Sequence, residues 1–183
     1  MCKLCETNPV YEFTNQRKLC KRCFIDYFYK KFLFTLRKFE MINAKDFIGY
    51  KKGTDFKSAV LEELLKFISK KYNFNIINLP NKKANKIALT SSLDSESEQI
   101  LKIIINKKSS ELKKYLPVVG KEIKPLYLFL DNEILLFAKL KDIKFKESKT
   151  NKDKIGIFTD EFEKNHPEVK RAVVNSVLKL YNK

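Results

Sequence analysis

The spacing of apolar and polar residues predicts short strands that alternate with amphipathic helices along most of the chain. The predicted helices cover residues 26–39, 56–72, 91–105, 109–115, 131–140 and 169–181. The predicted strands cover residues 47–50, 75–79 and 86–90, and a charged loop is predicted at 144–154. A strand, a turn and a helix in succession are typical of an α/β fold. We therefore expect an α/β domain that begins near residue 43.

All four cysteines lie before the first predicted helix, as two Cys-x2-Cys pairs separated by 14 residues. Two such pairs can place four thiolates around one tetrahedral Zn²⁺. The predicted ligands of a structural zinc ion are Cys2, Cys5, Cys20 and Cys23. Two disulfides, or four unrelated core cysteines, are the alternatives. Disulfides need an oxidising compartment, and the N-terminus shows no apolar export signal.

The net charge of +16 on 183 residues favours a polyanionic partner. We expect RNA or DNA as the partner first, and an anionic membrane second. The alternative is a lysine-rich composition that gives the same excess of positive charge without any such partner. Hydrophobic residues make up 44% of the chain, which is too many for a disordered protein. No run approaches the 18 apolar residues of a membrane span. We expect a protein of the cytoplasm.

A basic, aromatic-rich segment follows the second cysteine pair and continues as the predicted helix 26–39. Its apolar stripe comprises Phe28, Phe32, Thr35, Leu36 and Phe39. The cations fall mainly on other faces, so the helix can pack by its aromatic residues and present positive charge to phosphates. A solvated basic face is the alternative. The residues predicted to contact RNA are Lys21, Arg22, Lys30, Lys31, Arg37 and Lys38.

Five segments, in one order, resemble the PP-loop tRNA thiolation enzymes. That family has an N-terminal Cys-x2-Cys pair, a second cysteine motif before a basic helix, a strand ending in a Leu-Asp motif, a Lys-Pro-Leu motif and a late Glu-rich motif. The matching segments are Cys2-Lys3-Leu4-Cys5, Leu19-Cys20-Lys21-Arg22-Cys23-Phe24, residues 88–99, Lys124-Pro125-Leu126 with residues 133–140, and Glu161-Phe162-Glu163 with His166-Pro167. The resemblance implies a small PP-loop domain, with a parallel sheet and helices on both faces, after an N-terminal zinc knuckle and basic helix. It divides the chain into residues 1–42 and 43–183.

The chain departs from the family at the ATP loop, where the family has Ser-Gly-Gly-Lys-Asp-Ser. Here residues 51–56 read Lys-Lys-Gly-Thr-Asp-Phe, so only Gly53 and Asp55 remain. Side chains at the glycine positions obstruct the close approach of pyrophosphate to backbone N–H groups. We therefore expect ATP not to bind.

The second nucleotide motif and the sulfur-handling cysteines are also altered. Ser91 replaces the histidine of the second motif, of which Asp94 remains, and no cysteine follows Cys23. No thiolate in the α/β body can therefore carry a persulfide or ligate an iron–sulfur cluster. These changes predict a body without catalytic residues.

This combination resembles subunit 2 of the cytoplasmic tRNA 2-thiolation complex, the partner of a catalytic subunit. The resemblance implies a heterodimer that installs 2-thiouridine at the wobble position of Lys, Glu and Gln tRNAs. Sulfur then comes from a ubiquitin-like carrier with a C-terminal thiocarboxylate. The expected cofactor of this chain is structural Zn²⁺.

Two other functions remain open from the sequence. In the first, the chain is an active ATP-dependent thiolase with a divergent loop, and Asp55 and Asp94 bind Mg²⁺ with ATP. In the second, it is a zinc-ribbon accessory protein that binds nucleic acid. Binding of ATP would favour the active thiolase over a non-catalytic subunit. Tighter binding of duplex DNA than of tRNA at the same salt concentration would favour the zinc-ribbon accessory protein.

Overall fold

A computed structural model of the protein describes residues 1–147 and 154–182. The α-helices are α1 (Lys21–Lys38), α2 (Phe56–Ser69), α3 (Leu93–Ile105), α4 (Asp131–Leu140), α5 (Lys154–Asn165) and α6 (Val169–Leu180). The strands are β1 (Tyr11–Glu12), β2 (Lys18–Leu19), β3 (Phe47–Tyr50), β4 (Asn75–Asn78), β5 (Lys86–Ala88), β6 (Val118–Val119) and β7 (Glu122–Ile123). Within these residues, no helix is long and apolar enough to cross a membrane.

The main sheet has five strands in the order β4-β3-β5-β7-β6. Strand β3 pairs in parallel with β4 and β5, and β5 pairs in parallel with β7. Strand β6 joins the edge antiparallel to β7. Helices flank this sheet, so the predicted α/β fold with a parallel sheet is confirmed. The parallel strands end together at one edge of the sheet, called the carboxyl edge below.

Helix α1 packs on the body by the aromatic stripe expected from its spacing. The side chains of Phe24, Phe28 and Phe32 are fully buried. The Phe28 ring stacks on Phe137 of α4, with 4.1 Å between centroids. Burial of such rings removes a large apolar area from water, which fixes the helix to the domain. The predicted division of the chain after residue 42 remains a prediction.

Two helices begin at polar caps: α2 at the predicted Phe56, and α3 at Leu93, two residues after its predicted start. The Asp55 carboxylate accepts hydrogen bonds from the backbone N–H groups of Lys57 and Ser58, at 3.0 and 3.1 Å, and so starts α2. The hydroxyls of Ser92 and Ser95 form a reciprocal capping box at the start of α3. These caps satisfy N–H groups that the first helical turn leaves unpaired.

Several elements differ from the prediction. The short helix predicted at 109–115 is present as a 3-10 helix, but the predicted loop 117–120 contains β6 and the turn into β7. Gly120 has a φ of 58°, which a tight turn of this kind requires. Helix α5 was not predicted, because its apolar residues repeat weakly. The predicted loop 144–154 lies largely outside the described residues.

Candidate functional site

The four cysteines of the N-terminal segment meet at one point. The Cys5 Sγ atom lies 3.3 Å from the Sγ of Cys20 and 3.6 Å from that of Cys23. All four Sγ atoms lie within 4.8 Å of one another, and all four cysteines are free thiols. Four sulfurs bound to one tetrahedral ion at about 2.3 Å lie roughly 3.8 Å apart. The donor set therefore fits one metal ion, and the disulfide alternative is not what the structure shows.

A two-stranded hairpin brings the two cysteine pairs together. Strands β1 and β2 pair antiparallel, with Tyr11 opposite Leu19. The backbone N–H of Lys3 bonds to the carbonyl of Lys18 at 3.0 Å, which holds the first knuckle beside the second. Cys20 is the N-cap residue of α1. The second pair therefore lies at the positive end of the helix dipole, which favours thiolates.

Local hydrogen bonds favour the metal-binding form of two of these thiols. A hydrogen bond from the Thr7 hydroxyl, together with the backbone N–H of Cys23, lowers the pKa of Cys20 to about 6. The backbone N–H of Leu4 lowers the pKa of Cys2. Thiolates, not thiols, bind metal ions. Burial, together with hydrogen bonds to Cys20 and Cys5, raises the pKa of Cys23 to about 12. The surroundings of the cluster therefore favour the thiolate at Cys2 and Cys20 but not at Cys23.

The loop that replaces the ATP motif lies at the carboxyl edge, between β3 and α2. It lines a pocket of about 300 Å³ together with residues 88–90. A Cβ atom on Gly53 would clash with Ser58 and lie 2.9 Å from Asp55 Oδ2, so the glycine is needed for close packing. The Asp55 carboxylate also accepts a hydrogen bond from the Ser58 hydroxyl, at 2.5 Å. In this structure Asp55 caps a helix.

Asp94, the remnant of the second motif, is occupied by protein groups. Its Oδ1 accepts a hydrogen bond from Lys170 Nζ at 2.6 Å, and its Oδ2 accepts one from the backbone N–H of Asp131 at 2.7 Å. The same ammonium group lies 3.0 Å from Asp160 and 2.7 Å from Glu163. One buried lysine thus lies where a cation could otherwise bind among these three carboxylates. Sequence reasoning missed Lys170, because it follows Asp94 by 76 residues.

This lysine supports a prediction about stability. We expect Lys170→Met to lower the free energy of unfolding by about 3 kcal/mol, because three carboxylates would lose their common partner. Burial lowers the pKa of Lys170, but its hydrogen bonds to Asp94 and Glu163 outweigh burial and raise that pKa above its usual range. The contribution is therefore complete at neutral pH and is lost as pH rises above about 10.4. Urea unfolding at several pH values measures it, with exposed Lys179→Met as the control.

The predicted RNA contacts do not share one environment. Five of the six side chains are exposed: Lys21, Arg22, Lys30, Arg37 and Lys38. They lie along a helix of about 27 Å. Helix α1 ends near the start of β5, because Lys86 Nζ donates to the carbonyl of Met41 at 2.8 Å. Arg37 and Lys38 therefore lie at the end of the domain opposite the carboxyl edge.

Lys31, the sixth predicted contact, points into the protein. Its Nζ donates to Glu133 Oε2 at 2.6 Å, and the Glu133 side chain is fully buried. The hydroxyls of Tyr11 and Tyr27 donate to Glu133 Oε1 at 3.4 and 3.3 Å. Burial lowers the pKa of Lys31, an effect that Glu133 opposes. This cluster, which the sequence did not indicate, joins the hairpin, α1 and α4.

No protein-family model matches the chain, and no curated protein matches it. Among solved structures, its fold is similar to that of U34-tRNA thiolase NcsA from Methanococcus maripaludis, a structure that contains a 4Fe–4S cluster. The TM-score is 0.75 at 18% sequence identity, and the match covers 98% of this chain and 86% of the thiolase chain. This chain has the fold of a tRNA thiolase.

The cysteines of this chain do not fit the cluster of that thiolase structure. A four-iron cluster binds each cysteine to a different iron atom and needs a wider spacing of sulfurs than a single ion. The four Sγ atoms here lie within 4.8 Å, and the chain has no other cysteine. The residues present therefore fit a single ion and not a 4Fe–4S cluster.

Proposed function

We propose that the chain is a non-catalytic subunit of a complex that 2-thiolates the wobble uridine of tRNA, and that it binds tRNA and a catalytic thiolase. The observation that carries this proposal is a thiolase fold over 98% of the chain whose ATP loop has two lysines beside its single glycine. The fold supports a role in tRNA thiolation, and the altered loop supports the absence of ATP-dependent catalysis in this subunit.

The site groups support a loss of catalysis in three places. Asp55 uses its carboxylate to cap α2, and Asp94 is bound by Lys170. Both were the candidates for Mg²⁺ in an active enzyme, and protein donors occupy them here. The only thiols form one compact group at the N-terminus, which leaves no cysteine in the α/β body.

In this proposal the four cysteines hold Zn²⁺ as a structural ion. The zinc would fix the hairpin against α1, so that the exposed cations of the module keep a defined position. A catalytic partner supplies ATP-dependent activation of the uridine and accepts sulfur from a ubiquitin-like thiocarboxylate carrier. The complex works in the cytoplasm on tRNAs for Lys, Glu and Gln.

The experiment that tests the proposal compares the chain alone, the catalytic thiolase alone and the two expressed together. We expect the two proteins to co-purify, and the pair to bind tRNA more tightly than the thiolase alone. Calorimetry with ATP and Mg²⁺ should detect binding by the catalytic thiolase and none by this chain. Failure to co-purify, together with unchanged affinity for tRNA, contradicts the proposal.

Two further results would favour the other functions. Measurable ATP binding by the chain alone would support an active thiolase, and Asp55→Ala would then abolish the signal. Tighter binding of duplex DNA than of tRNA at the same salt concentration would support a nucleic-acid accessory protein. Both comparisons need a fixed salt concentration, since phosphate contacts are salt-dependent.

A further inference from the structure

Three exposed lysines lie at the carboxyl edge of the sheet, on two segments that the fold holds together. Lys51 and Lys52 follow β3 directly, and Lys146 follows α4 by six residues. The backbone N–H of Lys146 donates to the carbonyl of Thr54 at 2.7 Å. The ring of Phe145 also packs edge-on against Phe56, with 6.2 Å between centroids. We call these three lysines the basic edge.

Among the described residues, no salt bridge neutralises the basic edge, although Lys52 is near enough to Glu62 to help lower the pKa of that carboxyl. None of its three lysines forms an ion pair with a residue in the described ranges, whereas neighbouring Lys57 lies 2.8 Å from Asp131. Of the acids near them, Asp55 caps α2 and Glu62 is 2.6 Å from Lys66. Glu147 is exposed beside Lys146 and offsets one of the three positive charges. The net local charge is positive.

The geometry does not suit a single bound nucleotide. The pocket beside the loop holds about 300 Å³, at the low end for small-ligand sites. The backbone N–H groups of Lys57 and Ser58, which could bind a phosphate at the start of α2, already donate to Asp55. A phosphate must therefore meet the lysine ammonium groups outside the pocket. Several exposed point charges of this kind suit a polymer with many phosphates.

We propose that Lys51, Lys52 and Lys146 bind the phosphate backbone of RNA. The altered ATP loop then serves as an RNA-contacting surface, in addition to the cations of α1. The N-terminal half of α1 extends to the same end of the domain. Tyr27 and Lys31 both donate to Glu133 in the first turn of α4, and Asp131 in that turn pairs with Lys57 of α2. This inference rests on the proposed function and adds where the RNA lies: across the carboxyl edge.

The test measures how tRNA affinity depends on salt for two variants with the same change in charge. The first variant is K51Q/K52Q/K146Q. The control is K107Q/K108Q/K121Q, which removes three exposed lysines from the loop after α3 and the β6–β7 turn. Fluorescence anisotropy with tRNA at four or more salt concentrations gives the slope of log K against log salt concentration. Circular dichroism and urea unfolding check that both variants fold.

We expect the basic-edge variant to reduce the salt slope by about two to three, since each lost phosphate contact removes about one unit. The control variant should keep the wild-type slope to within about half a unit. Equal slopes for the wild type and the basic-edge variant overturn the inference but leave the proposed function intact. If the wild-type chain binds no tRNA, does not co-purify with the thiolase and does not change its tRNA affinity, both are overturned. ATP binding that K51Q/K52Q/K146Q abolishes overturns the inference and assigns the loop to a nucleotide.

Discussion

Cys20→Ser is expected to abolish the metal binding proposed for the four cysteines and to unfold the hairpin at the N-terminus. Cys20 is one of the four clustered donors and also the N-cap residue of α1. Its loss leaves three thiolates in a knuckle whose only regular structure is two short paired strands. In zinc-finger peptides, structural zinc contributes roughly 10–16 kcal/mol to folding. Elemental analysis should find one zinc per wild-type chain and less than about one in ten for the variant.

The control for this experiment keeps all four thiolates. Glu12→Gln changes an exposed side chain of the same hairpin, which pairs with Lys18 at 3.2 Å, so this variant should retain the metal. Cobalt substitution gives a second measurement, because the absorption of Co²⁺ thiolate complexes reports tetrahedral coordination. Two results contradict the prediction: unchanged metal content in Cys20→Ser, or a wild-type chain with no metal and two disulfides by mass spectrometry under non-reducing conditions.

The α/β body could be predicted from the sequence where a repeating pattern or a cap was present. The phenylalanines of α1 repeat at helical spacing, and Ser92 with Ser95 marks the start of α3. Both signals involve residues close together in sequence, so they can be recognised without knowledge of the fold. Strand β7 has only two residues, Glu122–Ile123, and gave no such signal. Its place between β5 and β6 is set by tertiary pairing.

In the candidate site, too, only contacts between residues close in sequence could be predicted. The spacing of the cysteines predicted that their four sulfur atoms lie together, because a tight local turn brings the two cysteines of each pair close to each other. The partners of Asp94 and Lys31 could not be found in this way, since Lys170 and Glu133 lie 76 and 102 residues away in sequence. A lysine in a basic helix has the same sequence signature whether it faces RNA or a buried glutamate. Burial is what separates the two roles.

Lys31→Met is expected to lower the free energy of unfolding by about 3–5 kcal/mol, because it removes the 2.6 Å ion pair of the buried Glu133 carboxylate and leaves the more distant Arg171, at 4.0 Å, as its cation. Only 11% of the Lys31 side chain is exposed, and none of Glu133. Exposed Lys30→Met, one residue away on the same helix, should change stability by less than about 0.5 kcal/mol. Urea unfolding measures both. The double variant Lys31→Met/Glu133→Gln should recover part of the loss, since the neutral amide can still accept from the N–H of Leu130.

The same two variants separate structure from RNA binding. Lys30→Met should reduce the salt slope of tRNA binding by about one, while Lys31→Met should leave that slope unchanged because its charge is already paired. We therefore expect Lys30→Met to affect RNA binding but not stability, and Lys31→Met to affect stability but not RNA binding, although the two lysines are neighbours in sequence and have the same charge. A slope lowered equally by both variants would mean that Lys31 leaves Glu133 when RNA binds. In that case the buried pair would be a feature of the free protein alone, and the original prediction of six contacts along α1 would stand.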